Sequence, residues 1–172
     1  MDKSKGNTSL LDSGSQPLFV QMVLKTWQAH LKRADTAFGA FTHEQFLSEI
    51  APGRNRIVYL LGHVTAVHDG MFPLFGLGDK LYPQLERIFI TQPDRAVAEL
   101  PSVDELKKYW ADVNAKLTGH FNEMSPQQWF EKHTAVSEED FAKDPSRNKL
   151  NVLLSRTSHL AYHGGQLALQ KK

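Results

Sequence analysis

Apolar residues recur every three to four positions along most of the chain, and strand-like alternation is almost absent. Leu18, Phe19, Met22, Val23, Trp27 and Leu31 form one such stripe, with Ser15 or Gln16 placed to cap it and Pro17 suited to a first turn. They predict a helix near 16–35. Thr42, Glu44 and Gln45 before Phe46 and Ile50 predict a short capped helix, punctuated by Pro52 and Gly53. Ile57, Leu60, Leu61, Val64, Val67, Met71 and Leu74 predict a second long helix near 54–75.

Residues 76–101 hold three Pro and two Gly, and Leu85–Thr91 reads as either a strand or a helical turn. Ser102 opens S-V-D-E, a helix-entry pattern with acidic groups in the first turn. Leu106, Tyr109, Trp110, Val113, Leu117 and Phe121 carry that helix over 102–123. Ser125 and Pro126 start another short turn, and the charged stretch 131–146 reads as a solvated loop. Leu150, Leu153, Leu154, Leu160 and Leu167 define a last helix near 147–170, with Lys171 and Lys172 at its negative end. Four long helices imply an all-α four-helix bundle, with long connections between helices 1 and 2 and between helices 2 and 3.

Composition narrows the picture. The 172 residues suit one domain, 16–172, after a flexible polar segment, 1–15. Twenty Lys and Arg against 19 Asp and Glu give a net charge of +1, too weak a field for nucleic acid or an anionic membrane. There is no Cys, which removes disulfides, thiolate metal sites and a cysteine nucleophile. No stretch has the length and apolarity of a signal peptide or a membrane span, so the expected location is cytoplasmic. Trp27, Trp110 and Trp129 are read as core anchors.

The candidate chemistry lies in the eight His. Only His159 and His163 are spaced i, i+4, which puts both rings on one helical face within reach of one ion. Chance supplies such a pair readily in a chain this rich in His. The surroundings add weight: Ser155, Arg156 and Gln166 share that face, and a half-polar inward face needs partners. His63, on the apolar side of helix 2, is the natural third partner, although a hydrogen-bonded core His is the commoner case in isolation. His68 lies about 140° further round that helix and is read as a surface or loop-contacting residue.

The string L-L-G-H-V around His63, together with T-S-H-L-A-Y-H-G-G-Q-L-A-L near the C-terminus, resembles the DinB-like family of four-helix bundle metalloenzymes. Gly62, His63, His159, Tyr162, His163, Gly165, Gln166 and Leu167 carry the resemblance, and the element order fits over about 16–170. It implies a divalent metal, zinc or nickel, on His63, His159 and His163. Three imidazoles leave a coordination position open, as in catalytic rather than structural zinc sites. The family's assigned roles include thiol transferases acting with bacillithiol or mycothiol and a thiol-dependent maleylpyruvate isomerase. The resemblance therefore implies a small-molecule substrate, a low-molecular-weight thiol and a homodimer.

Four residues beside the ligands are candidates for orienting them or for facing substrate. Tyr59, one turn before His63, either bonds a ligand at the metal or is a core Tyr with a satisfied hydroxyl. Arg56, two turns before His63, either meets an anionic substrate or is an ordinary surface Arg. Tyr162 and Gln166 are placed to orient the ligands, with packing against helix 1 the alternative for Tyr162. Gly164–Gly165 suggests close approach by another backbone. His30, His43, His120 and His133 are assigned structural or solvent-exposed roles. The catalytic residues stay unknown. The readings are thus a metal-dependent thiol S-transferase or hydrolase acting on a small molecule, or a non-catalytic metal-binding, stress-associated bundle protein.

Overall fold

A computed structural model describes residues 14–170; the predicted segment 1–15 falls mostly outside this range, as do Lys171 and Lys172. Four long helical stretches dominate, and no strand occurs among the described residues. Helix α1 spans Gln16–Gly39, one turn longer than its apolar stripe predicts, and begins at Ser15 with Pro17 in its first turn. Helix α2, His43–Phe46, is fixed by the reciprocal bonds of a capping box between Thr42 and Gln45.

The second predicted helix is divided. Helix α3 runs Ile57–Asp69 and α4 runs Met71–Phe75, with Gly70 between them. Gly76 ends α4 in the left-handed region at φ 72°, and Leu77 N–H reaches back to the Phe72 carbonyl at 2.8 Å. That closure needs a residue free of Cβ strain. Leu85–Thr91, open between strand and helix in the sequence, is helical: α5, Gln84–Glu86, leads directly into a π-helical turn, Arg87–Thr91.

Helix α6, Val103–Glu123, starts at the predicted capping box of Ser102 and Glu105. Helix α7, Pro126–Trp129, is likewise boxed by Ser125 and Gln128. The charged stretch 131–146 is not wholly loop. Ser137 accepts from the Asp140 N–H and starts α8, Glu138–Lys143, which buries no residue and stands on local capping and i,i+4 charge pairing. Helix α9, Lys149–Ala168, is capped by Asn148, whose side-chain oxygen accepts from Asn151 N–H at 2.9 Å.

Helix α9 lies along α1 and also meets α3, and α3 packs on α6. One buried cluster gathers Phe38, Phe46, Ile57, Leu60, Leu61, Leu85, Phe89, Leu106 and Trp110. A second gathers Trp27, Met71, Phe72, Phe75, Leu117, Phe121, Trp129 and Leu153. All three Trp are core anchors as predicted. The Gly pair differs: no atom comes within 4 Å of a Cβ built at Gly164 or Gly165. Those residues instead border a groove of about 610 Å³ between α1 and α9, so no other backbone occupies the space a Cβ would take there. No helix among the described residues is long and apolar enough to cross a membrane.

Candidate metal centre

Helix α3 delivers His63 from one side of the bundle and α9 delivers His159 and His163, one turn apart, from the other. Their ring nitrogens converge. His63 Nε2 lies 3.1 Å from His159 Nε2, and His163 Nε2 lies 3.0 Å from the same atom. His163 is buried, while His63 and His159 are partly exposed.

The partners of the outer nitrogens fix the tautomers. His63 Nδ1 is 2.8 Å from the Phe89 carbonyl oxygen, which can only accept, so Nδ1 carries the proton. His163 Nδ1 donates in the same way to Gln166 Oε1 at 2.7 Å, and Gln166 Nε2 donates to the Tyr162 hydroxyl at 3.1 Å. Both Nε2 atoms therefore aim lone pairs at His159 Nε2. One ring nitrogen has at most one proton to offer, so a neutral His159 cannot satisfy both. Burial, followed by the charges of His163, His63 and Arg156, lowers the His159 pKa to about 4, which keeps that ring neutral near pH 7. Burial likewise lowers the His163 pKa, against the opposing pull of Gln166.

A small cation resolves this arrangement. Nitrogen ligands 2.0–2.1 Å from a tetrahedral zinc stand about 3.3 Å apart, so the observed contacts need to open by only a few tenths of an ångström. The donor set is all imidazole, which suits zinc and nickel. The outer bonds from His63 and His163 are the kind that orient metal-ligating imidazoles. The three His are thus positioned to hold one metal ion.

The remaining predicted residues fall into two groups. Gln166 and Tyr162 form a relay behind His163; Tyr162 is 65% exposed and its ring meets the His163 ring edge-on, so it does not pack into the bundle. Tyr59 stacks near His63, with ring centroids 6.3 Å apart, but its hydroxyl donates to the Gln92 carbonyl at 2.6 Å. It is a core Tyr with a satisfied hydroxyl that tethers the π turn. Arg56 stands at the start of α3, where its guanidinium and backbone N–H bind Asp94, with Nη2 2.6 Å from Oδ1. Burial works against the Asp94 carboxylate, and the Arg56 contacts more than offset it, leaving its pKa below the usual range. That guanidinium is engaged within the chain rather than presented to a ligand.

His68 overturns its surface reading. It is fully buried between Trp27 and Trp110, and its Nδ1 lies 2.8 Å from Asn114 Oδ1. Asn114 in turn donates to the Trp110 carbonyl. A position about 140° from His63 faces α1 and α6 because α3 is enclosed on nearly every side. The important group that pattern reading missed is the Phe89 carbonyl, since a main-chain acceptor leaves no signal in residue type. Its nearest trace is Gly62: a Cβ there would stand 2.4 Å from the Phe89 ring. Only glycine lets the π turn close onto α3.

A family model described as the DinB superfamily matches residues 26–167, which include all three His. Comparison with curated proteins gives no match.

Proposed function

The chain belongs to the DinB superfamily, and on that premise we propose that it is a metal-dependent enzyme acting on a small molecule, with zinc or nickel held by His63, His159 and His163. The carrying observation is the convergence of three Nε2 atoms, two of them with lone pairs fixed by acceptors behind the rings. When bound, such an ion holds a thiol as thiolate or lowers the pKa of a coordinated water near neutrality.

The protein's part is to hold and to shield. The Phe89 carbonyl and Gln166 keep the His63 and His163 rings in one tautomer and one orientation. Three protein ligands leave a position for an incoming group. With no Cys in the chain, a sulfur nucleophile has to arrive as a separate small molecule. Thiol-dependent S-transfer is therefore the reading we favour, in a cytoplasmic homodimer.

The test has two arms. Metal content is measured on protein prepared without a His tag. Bacillithiol, mycothiol, glutathione and coenzyme A are then screened against monochlorobimane with and without added metal. A rate that requires thiol, metal and His63 supports S-transfer. A rate that survives His63→Ala removes it. Metal binding with silence from every thiol moves the reading to hydrolysis or to a non-catalytic metal protein. Light scattering checks the homodimer.

A further inference from the structure

A second cavity, of about 370 Å³, lies beyond the His cluster toward the start of α9. Its polar lining comes from His133, Arg147, Asn148, Asn151, Ser155 and Arg156, and no carboxylate lines it. Two of these residues hold buried nitrogens with no hydrogen-bond partner, Arg156 Nε and His133 Nδ1. A buried donor without an acceptor costs stability, and an arginine cannot shed its charge to escape that cost. Among the described residues no carboxylate pairs with Arg156, and burial alone lowers its pKa. Arg147 has a long contact with Asp140, at 3.7 Å, and its charge also acts on Asp144.

The wall opposite α9 is held in place. Thr134 N–H donates to the Leu74 carbonyl at 3.0 Å, and its hydroxyl donates to the Pro73 carbonyl at 2.9 Å. Lys149 N–H donates to the Glu131 carbonyl at 3.0 Å. His133 is thus presented from a segment tied at both ends. The charge of two arginines, a buried guanidinium N–H and a buried imidazole nitrogen without partners, and a fixed frame form a site suited to an anion with several acceptor oxygens.

We propose that this cavity binds the oxyanion end, carboxylate or phosphate, of a small molecule. The Arg156 guanidinium supplies N–H donors, His133 adds one in the tautomer that carries its proton on Nδ1, and Arg147 supplies further charge. Arg156 stands one turn before His159 on α9, and its charge acts on both His159 and His133. Arg156 thus lines the cavity within electrostatic reach of His159, and the ligand's other end is placed toward that residue. This last step rests on the metal-enzyme reading; the anion site itself does not.

Inorganic phosphate and acetate are titrated separately into the full chain at constant ionic strength, with the Arg156 Nε–H and His133 ring signals followed by NMR. A saturable shift is expected with one anion or both, and which one responds tells a phosphate ligand from a carboxylate. Arg156→Gln should weaken the affinity about tenfold or more, the scale of losing one charge-assisted contact. Ser155→Asp, at an exposed position of the rim, places a competing carboxylate there and should do the same without threatening the fold. The His159→Ala, His163→Ala double variant should retain the response, which separates this site from the metal reading. No saturable shift at tens of millimolar of either anion overturns the proposal. So does a response that persists in both Arg156→Gln and Ser155→Asp, or one that vanishes in the folded double variant.

Discussion

The carbonyl oxygen of Phe89 stands 2.8 Å from Nδ1 of His63, joining a π-helical turn to the middle of α3. π turns are rare in proteins and recur at functional sites. Here the turn supplies a main-chain acceptor behind a candidate metal ligand. It also carries the Phe89 ring that fills the space over Gly62.

Gly62→Ala should break both relationships at once. The new methyl would meet Phe89 ring carbons at 2.4–2.6 Å, which forces the turn away from α3. Overpacking of this kind costs about 1–3 kcal/mol. Loss of the acceptor behind His63 should cut metal affinity about 10- to 100-fold. Melting curves and chelator competition read the two effects separately. Gly119→Ala, in a helix with open space around it, is the control and should be neutral or stabilising.

Gln166→Leu should weaken metal binding about 10- to 100-fold while leaving the fold intact, because it removes the acceptor that orients His163. Tyr162→Phe should cost much less. The Tyr162 hydroxyl meets Gln166 rather than a ligand, and the side chain is mostly exposed. Equal losses in the two variants would show that the relay, not Gln166 alone, sets the ring.

Metal should stabilise the protein in a pH-dependent way. Imidazoles coordinate only when neutral, and burial holds the His159 pKa at about 4 and lowers that of His163. Added zinc or nickel should therefore raise the melting temperature at pH 8 and lose that effect as the pH falls toward about 4, where His159 takes up its proton. At 100-fold excess over the dissociation constant, mass action gives about 2.7 kcal/mol. The His159→Ala, His163→Ala double variant should show no shift.

The metal-free protein should lose stability on acidification through His68. Burial pushes the His68 pKa down to about 3, against an ordinary value near 6.5. The unfolded chain takes up a proton below pH 6.5 and the folded chain does not until about pH 3. Stability is therefore full above pH 6.5 and falls across that window. Between pH 7 and pH 5 this residue alone should cost about 2 kcal/mol. Unfolding free energies from urea titrations of wild type and His68→Leu at both pH values should show pH sensitivities that differ by that amount, with the variant the less sensitive.

Much of this was legible in the residue pattern, for identifiable reasons. The long helices announced themselves through apolar spacing, and α2, α6 and α7 through their capping residues Thr42, Ser102 and Ser125. The His159–His163 pair follows from helical geometry, and the DinB resemblance rests on the strings around it and around His63. His68 misled because angular position on a helix predicts exposure only when one face is open, and α3 is buried nearly all round. Helix α8 was hidden because charge usually marks a solvated loop; here the charges sit on a solvated helix. Leu85–Thr91 is ambiguous in the sequence because seven residues cannot separate periods of 2, 3.6 and the wider π turn. The role of His133 depends on where residues 131–136 fold back over α4, which no local pattern encodes.

The His cluster links positions 96 residues apart in the chain, His63 and His159. An ion held there would act as a kinetic latch between α3 and α9, since neither helix could lift away without breaking coordination. Slow amide exchange should then arise in both helices together on metal loading, as one cooperative opening unit, while α8, which buries nothing, should continue to exchange as before.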